Sequence, residues 1–203
     1  MVRYSKGHKE EVRKAILEKA SRRLRSDGIG AVGIKTLMGD AGLTHGGFYA
    51  HFPSREALIS EAGEEALRRT YEFLKRHTMK AQPESRLEAF VAGYLSQQHL
   101  EDMSGGCAGA ALAPEIAREG EEARRRFTGG LRLIVDYLAD LLPHGGSDEQ
   151  RIGRAYSIFA MMMGAVQIAR IAIDTSTSDG ILKSARKNSL ALANSGWDNQ
   201  QGV

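Results

Sequence analysis

The amino-acid sequence predicts an all-α protein. Apolar residues recur at intervals of three and four along almost every periodic stretch, the spacing of a helix buried on one face. No pair of alternating apolar segments is joined by a tight glycine or asparagine turn, so the sequence has no hairpin signal. Glycine and proline divide the chain into roughly nine helical segments.

The first helix is predicted from Lys9 to about Ser26, with lysine and arginine on the sides away from its apolar stripe. Asp27-Gly28 ends it, because glycine readily takes the positive φ of a helix end. The stripe consists of Val12, Ile16, Leu17, Ala20 and Leu24.

Two very short helices are predicted next, at about 34–41 and 44–51, with Gly42-Leu43 between them. Pro53 stops the second, and Ser54 is placed to cap a helix that runs to about residue 77. Helices this short are unstable alone, so the pair, clamped by the first helix, predicts a helix-turn-helix. We expect the second short helix to lie in the major groove of DNA.

A second helical region follows from Pro83. One helix is predicted from there to the break at Ser104-Gly105-Gly106, with Leu87, Phe90, Val91, Tyr94 and Leu95 on its buried face. Further helices are predicted at about 107–118, 121–142, 148–173 and 178–193.

The segment from 155 to 173 is apolar nearly all round. A membrane span is disfavoured, because the segment contains Gln167 and Arg170 and no second such stretch exists. We expect a helix buried on every side, either at the centre of a bundle or between the core and a partner subunit. Small residues beside it, such as Gly164, favour the second interpretation and predict a homodimer.

Charge is distributed unevenly along the chain. Residues 1–60 contain 11 Lys and Arg against 6 Asp and Glu, a net charge of +5, and the remainder contains 17 against 19, a net charge of −2. This asymmetry fits an N-terminal region that meets a polyanion, although a solvated basic helix face is an equal alternative. The polar N-terminus and the single cysteine, Cys107, predict a cytoplasmic protein without disulfides.

The segment from Ala41 to Leu58 resembles the signature of the TetR (tetracycline repressor) family. Its sequence, AGLTHGGFYAHFPSREAL, fits A-G-V-[ST]-x-[GP]-[TS]-[LF]-Y-x-[HY]-F-x-[SN]-K-[ED]-x-L at nearly every position. The resemblance implies a three-helix DNA-binding domain at 1–53, and a helical-bundle domain for effector binding and dimerisation at 54–203, linked by the helix from Ser54. It also implies a homodimer that binds a near-palindromic operator and acts as a ligand- or electrophile-responsive repressor.

The resemblance further implies which residues contact double-stranded DNA. Thr44, capping the second short helix, would hold phosphate with the N–H groups of His45 and Gly46. Tyr49, His51 and Arg55 would contact the sugar-phosphate backbone, and the Arg3–Lys6 arm could add contacts. Bases would be contacted by Lys35 or Thr36 and by His45, Gly46 and Gly47.

Two other features of this segment do not concern DNA contact. Phe48 and Phe52 fit the core better than DNA. Gly33 stands where the family commonly has a capping side chain, which predicts a weakly started first short helix.

A small-molecule or reactive-species effector is implied for the C-terminal domain. Its pocket would be lined by Tyr94, Gln98, Cys107, Phe127, Phe159, Met162 and Met163. Methionine and aromatic stripes are core more often than ligand lining, so a plain core stays the alternative. Cys107 at an apparent helix start favours a reactive thiolate, and an inert buried thiol is the competing interpretation.

Other classes of protein are poorly supported by the sequence. There is no nucleophile-base pair, no metal-ligand spacing and no phosphate-binding loop, so we expect no catalytic residue, metal or cofactor. A helical dimeric adaptor is the main alternative to a DNA-binding regulator, and an enzyme is a weaker one.

Overall fold

The computed structural model describes residues 6–197, with only the backbone described at Lys6. Over this range the chain is helical and contains no β-strand, which confirms the all-α prediction. Its nine α-helices are α1 (Lys6–Asp27), α2 (Ile34–Asp40), α3 (Arg55–Thr78), α4 (Arg86–Tyr94), α5 (Gln97–Glu101), α6 (Ala108–Ile116), α7 (Glu121–Leu141), α8 (Asp148–Ile171) and α9 (Thr175–Ala193). Two 3-10 helices lie at His45–Ala50 and Pro83–Ser85.

One predicted helix is two helices in the structure. The helix expected from Pro83 to Ser104 breaks at Ser96, between α4 and α5. The Ser96 hydroxyl donates to the Gly93 carbonyl at 2.9 Å and accepts the His99 N–H at 3.2 Å. Ser96 therefore ends one helix and caps the next, because a serine oxygen competes with the backbone for its hydrogen bonds.

The chain packs into two units that differ in content from the predicted domains. Within the described part of the chain, residues 6–69 pack with residues 103–130, and residues 70–102 pack with residues 131–197. The predicted boundary between residues 53 and 54 stays a prediction, since packing alone does not show which part folds by itself.

The first unit joins the N-terminal helices to α6 and the first half of α7. Two polar contacts tie α6 to the N-terminal part: Arg25 donates to the Gly106 carbonyl at 3.2 Å, and the Ile29 N–H donates to the Glu115 carboxylate at 2.7 Å. The fully buried side chains of this unit include Ile16, Ala20, Leu37, Phe48, Phe52, Leu67, Cys107 and Leu112.

The second unit is built around α8, which packs along α9. Ser147 caps α8 in a reciprocal arrangement with Gln150, so the start of this helix is well defined. One side of α8 is buried, including Ile158, Met162 and Val166.

The other side of α8 is exposed in the single chain, so the helix is not buried on every side within it. Ile168 is 55% exposed and Ile171 79% exposed. Among the described residues, α8 is the one helix long and apolar enough to cross a membrane by length and composition. The burial on every side predicted from the sequence is therefore not found within the single chain, and cover by a partner subunit stays a prediction.

A close helix crossing in the first unit depends on Gly130 of α7. A Cβ at this position would lie 2.9 Å from Cβ of Leu67 on α3, and Leu67 is completely buried. The neighbouring Gly129 is exposed, and a Cβ there would have no atom within 4 Å.

We expect Gly130→Ala to destabilise the protein by about 1–3 kcal/mol, because the added methyl group overpacks the crossing. Gly129→Ala should raise stability by about 0.5–1 kcal/mol, because alanine favours a helix over glycine. Urea unfolding of the two variants and the parent chain measures both effects. Shifts of the same sign in the two variants would contradict the crossing described here.

Candidate nucleic-acid interface

The turn between the two short helices has the geometry that the sequence predicted. Gly42 has a φ of +71°, which favours glycine. Its N–H donates to the Gly39 carbonyl, and the Leu43 N–H donates to the Met38 carbonyl, each at 2.9 Å. This pair of bonds is a Schellman motif, which ends α2 and turns the chain into the next helix.

The helix that follows the turn, His45–Ala50, is named the recognition helix here. It is a 3-10 helix rather than the predicted α-helix. One side is exposed, with Tyr49 at 60%, whereas Phe48 and the nearby Phe52 are completely buried. The two phenylalanine rings stack with centroids 5.7 Å apart, which confirms that they belong to the core.

Thr44 stands at the N-cap of the recognition helix, but its side chain does not cap it. The first backbone bond runs instead from the Gly47 N–H to the Thr44 carbonyl at 3.0 Å. The predicted side-chain cap is therefore wrong. The reason is the 3-10 geometry. Its hydrogen bonds join residues three positions apart, so the Gly47 N–H already has a backbone oxygen as its acceptor.

Arg55 makes contacts that the sequence did not predict. Its guanidinium donates to the Ile29 carbonyl at 2.6 Å and to the Val32 carbonyl at 3.3 Å. These bonds fix the loop between α1 and α2, so Arg55 positions the start of α2. A phosphate contact by the same side chain stays a prediction.

The first turn of α2 exposes Lys35 and Thr36, the predicted base contacts on this helix. Gly33 occupies the N-cap position and supplies no side-chain hydrogen bond, which confirms the departure noted in the sequence. The Leu37 N–H donates to the Gly33 carbonyl at 3.0 Å, so backbone alone begins this helix.

His51 follows the recognition helix and is partly buried. Arg13 of α1 donates to its carbonyl oxygen, stacks over the Phe52 ring at 4.6 Å and forms an ion pair with Glu61. Burial, and then the nearby cations Lys9 and Arg13, lower the pKa of His51 below its ordinary value. This shift favours the neutral form of the imidazole in the free protein.

The exposed and half-exposed predicted DNA contacts lie in the first unit, on α2, the recognition helix and the residues beside it. Arg13, Glu61 and Glu115, which hold these elements, were missed by the sequence analysis. Their ion pairs and hydrogen bonds join distant parts of the chain, and local periodicity carries no signal for such contacts. The Arg3–Lys6 arm lies outside the residues whose side chains the structure describes.

The predicted effector-pocket residues are divided between the two units. Cys107 and Phe127 belong to the first, and the remaining five, Tyr94, Gln98, Phe159, Met162 and Met163, to the second. Tyr94 is completely buried, with its ring 5.4 Å from that of Phe159 and 5.0 Å from that of His99. Gln98 is exposed. A ligand cavity at these residues stays a prediction.

Cys107 is completely buried at the N-cap of α6. Its Sγ accepts the Ala110 N–H at 3.2 Å, and its neighbour Gly106 accepts the bond from Arg25. The thiol thus lies one residue from a contact that ties α6 to α1. Within residues 7–197, no three His, Cys, Asp or Glu side chains are grouped so as to hold a metal ion.

Comparison with known protein sequences gives two findings. Residues 16–62 match the family model described as "Bacterial regulatory proteins, tetR family". No curated protein sequence matches the chain.

Solved structures share the fold. The reduced form of E. coli NemR has a TM-score of 0.73 at 21% identity, covering 89% of this chain and 96% of that one. A TetR-family regulator from Cytophaga hutchinsonii has a TM-score of 0.77 at 16% identity, covering 95% and 100%. Another from Chloroflexus aurantiacus has a TM-score of 0.72 at 23% identity, covering 92% and 94%.

Proposed function

We propose that this chain, a member of the TetR family by its N-terminal domain, regulates transcription by binding double-stranded DNA. The observation that carries the proposal is the recognition helix. Its buried side is fixed by Phe48, and its other side presents His45, Gly46 and Tyr49 to solvent. An exposed short helix on a braced domain with a net positive charge is the arrangement of a helix-turn-helix that enters the major groove.

The proposed DNA contacts are of two kinds, contacts to backbone phosphates and contacts to bases. Tyr49 and His51 are proposed to bind backbone phosphates, and the exposed Thr44 hydroxyl can donate to another. Lys35, Thr36 and His45 are long or polar enough to reach base edges, and Gly46 and Gly47 permit close approach. The protein would act in the cytoplasm as a repressor. A dimeric adaptor without affinity for DNA is the alternative.

We expect Tyr49→Ala to weaken DNA binding roughly tenfold, because one phosphate contact is worth about 1–2 kcal/mol. Fluorescence anisotropy measures this on a 30-base-pair duplex selected from a randomised pool, over a series of salt concentrations. Tyr49 is the better choice than Arg55, since Arg55 also holds the loop before α2.

Met79→Ala is the matched control, because Met79 is 59% exposed and belongs to the other unit. It should leave affinity unchanged. Failure to select any duplex, or affinity that is independent of salt, would contradict the proposal and favour the adaptor.

The protein is proposed to be a homodimer through α8 and α9. A shallow groove of about 590 Å³ runs along these helices, lined by small and apolar residues that include Gly164, Ile168 and Gly180. Ile168 and Ile171 are exposed beside it. Large exposed apolar side chains on a face of this kind are typical of a subunit interface. A two-fold dimer would present two recognition helices to successive major grooves.

Ile168→Glu should convert the dimer to a monomer, because it buries a charge in an apolar interface. Light scattering coupled to gel filtration at micromolar concentration measures the mass. Leu133→Glu is the control, since Leu133 is 49% exposed on α7 and does not line the groove. A parent chain of monomer mass would contradict the proposal.

An effector response is proposed to act through α6. Gly106 and Glu115, one before α6 and one near its end, bind the N-terminal helices. A ligand in the predicted pocket or an adduct on Cys107 that displaces α6 would break both contacts and shift the DNA-binding residues. The Ala110 N–H donates to Sγ at the N-cap of α6, so an adduct on Cys107 would disturb the start of this helix.

We expect stoichiometric N-ethylmaleimide labelling of Cys107 to lower DNA affinity at least tenfold, because the adduct has no room at a fully buried side chain. Mass spectrometry counts the label, and anisotropy on the selected duplex measures the affinity. The Cys107→Ser variant should be unaffected by the reagent. Full labelling with unchanged affinity would identify Cys107 as an inert thiol.

A further inference from the structure

A cavity of about 370 Å³ lies between the start of α1 and the recognition helix. Its walls are apolar or small, formed by Val12, Leu43, Gly47 and Ala50. Three basic side chains also line it: His8 and Lys9 from α1, and His51. A site with apolar walls and converging basic groups fits an anion that carries an apolar body.

His51 has an unsatisfied atom at this site. Its Nδ1 is buried and has no hydrogen-bond partner within the described part of the chain. A buried polar atom of this kind costs free energy until it is paired or until the ring turns over and exposes it. The free protein therefore leaves one nitrogen of His51 without a hydrogen bond, and an anion in the cavity can pair it once the ring turns over.

The charged groups around His51 come from three elements. Lys9 and Arg13 on α1 are positively charged, and His8 lines the same cavity. On α3 the carboxylate of Glu61 pairs with Arg13, which donates to both of its oxygens. The recognition helix contributes Gly47 and Ala50 to the cavity wall, and neither carries a charge. The cavity thus has an excess of positive charge.

We propose that this cavity receives a phosphate of the DNA backbone with its deoxyribose, and that His51 gains a proton as the phosphate enters. The inference rests on the proposed DNA-binding function. The phosphate would lie between Lys9 and His51, and the sugar carbons would contact Val12 and Ala50. DNA binding would then be coupled to pH through one histidine in each subunit.

The sign of the coupling follows from the charges. In the free protein, burial and two cations lower the pKa of His51. A phosphate in the cavity adds a negative charge at short range, so it raises the pKa in the complex. The complex then binds more protons than its free components, and affinity falls as pH rises between the two pKa values. One group per subunit limits the change to about tenfold per pH unit for each site.

The test counts protons directly. Calorimetric titration of the full-length protein with the selected 30-base-pair duplex at pH 6.5, in two buffers of different ionisation enthalpy, gives the number taken up. We expect uptake of roughly 0.3–1 proton per subunit and affinity at least threefold higher at pH 6 than at pH 7.5. His51→Gln should abolish the uptake, and His144→Gln, at an exposed histidine of the other unit, should retain it.

Two further measurements test the same proposal without relying on the His51→Gln variant. The His51 ring signals of the unaltered protein, followed by NMR against pH with and without duplex, report the pKa change even if His51→Gln folds poorly. Lys9→Gln should lower both the affinity and the salt dependence, whereas Lys14→Gln, an exposed neighbour that does not line the cavity, should have a smaller effect on both.

The possible results distinguish failure of the His51 proposal from failure of the proposed DNA-binding function. Specific DNA binding with equal proton uptake in the parent chain and His51→Gln would overturn the inference and leave the DNA-binding function intact. No binding to any duplex would overturn both. A pKa shift of His51 with inorganic phosphate as large as that with duplex would show a site for free anions and overturn the assignment to DNA.

Discussion

The buried pair of Phe48 and Phe52 is the contact on which the N-terminal helices depend. Helices of six and seven residues do not persist in water, because too few hydrogen bonds offset the ordering of their backbones. Both rings are completely buried, and Arg13 covers one of them while it binds Glu61. The exposed residues of the recognition helix therefore take their positions from packing on its opposite side.

Sequence patterns predicted the features that arise locally. The short helices, the positive φ at Gly42 and the burial of Phe48 follow from residue type and spacing over a few positions. The loop contacts of Arg55 and Glu115 could not be predicted in this way, because they join residues 26 and 86 positions apart. The 3-10 form of the recognition helix also escaped prediction, since the residue spacing over one or two turns does not distinguish it from an α-helix.

The apolar stretch in α8 shows a second limit of sequence patterns. Composition predicts burial on every side, yet Ile168 and Ile171 are exposed in the single chain. A pattern of apolar residues predicts that a surface is buried, but it does not predict which part of the chain or which other molecule buries it. The structure of one chain shows which side of α8 the chain covers itself and which side it leaves exposed.

The packing of α6 against the N-terminal helices bears on how proteins of this fold can be recombined. A chimera that transfers only residues 1–53 to another protein of this fold would leave behind Gly106 and Glu115, which bind Arg25 and the Ile29 N–H. The transplanted segment would then expose a buried arginine and lose a loop anchor. The transferred part would keep its native contacts only if residues 103–130 were included together with the N-terminal segment.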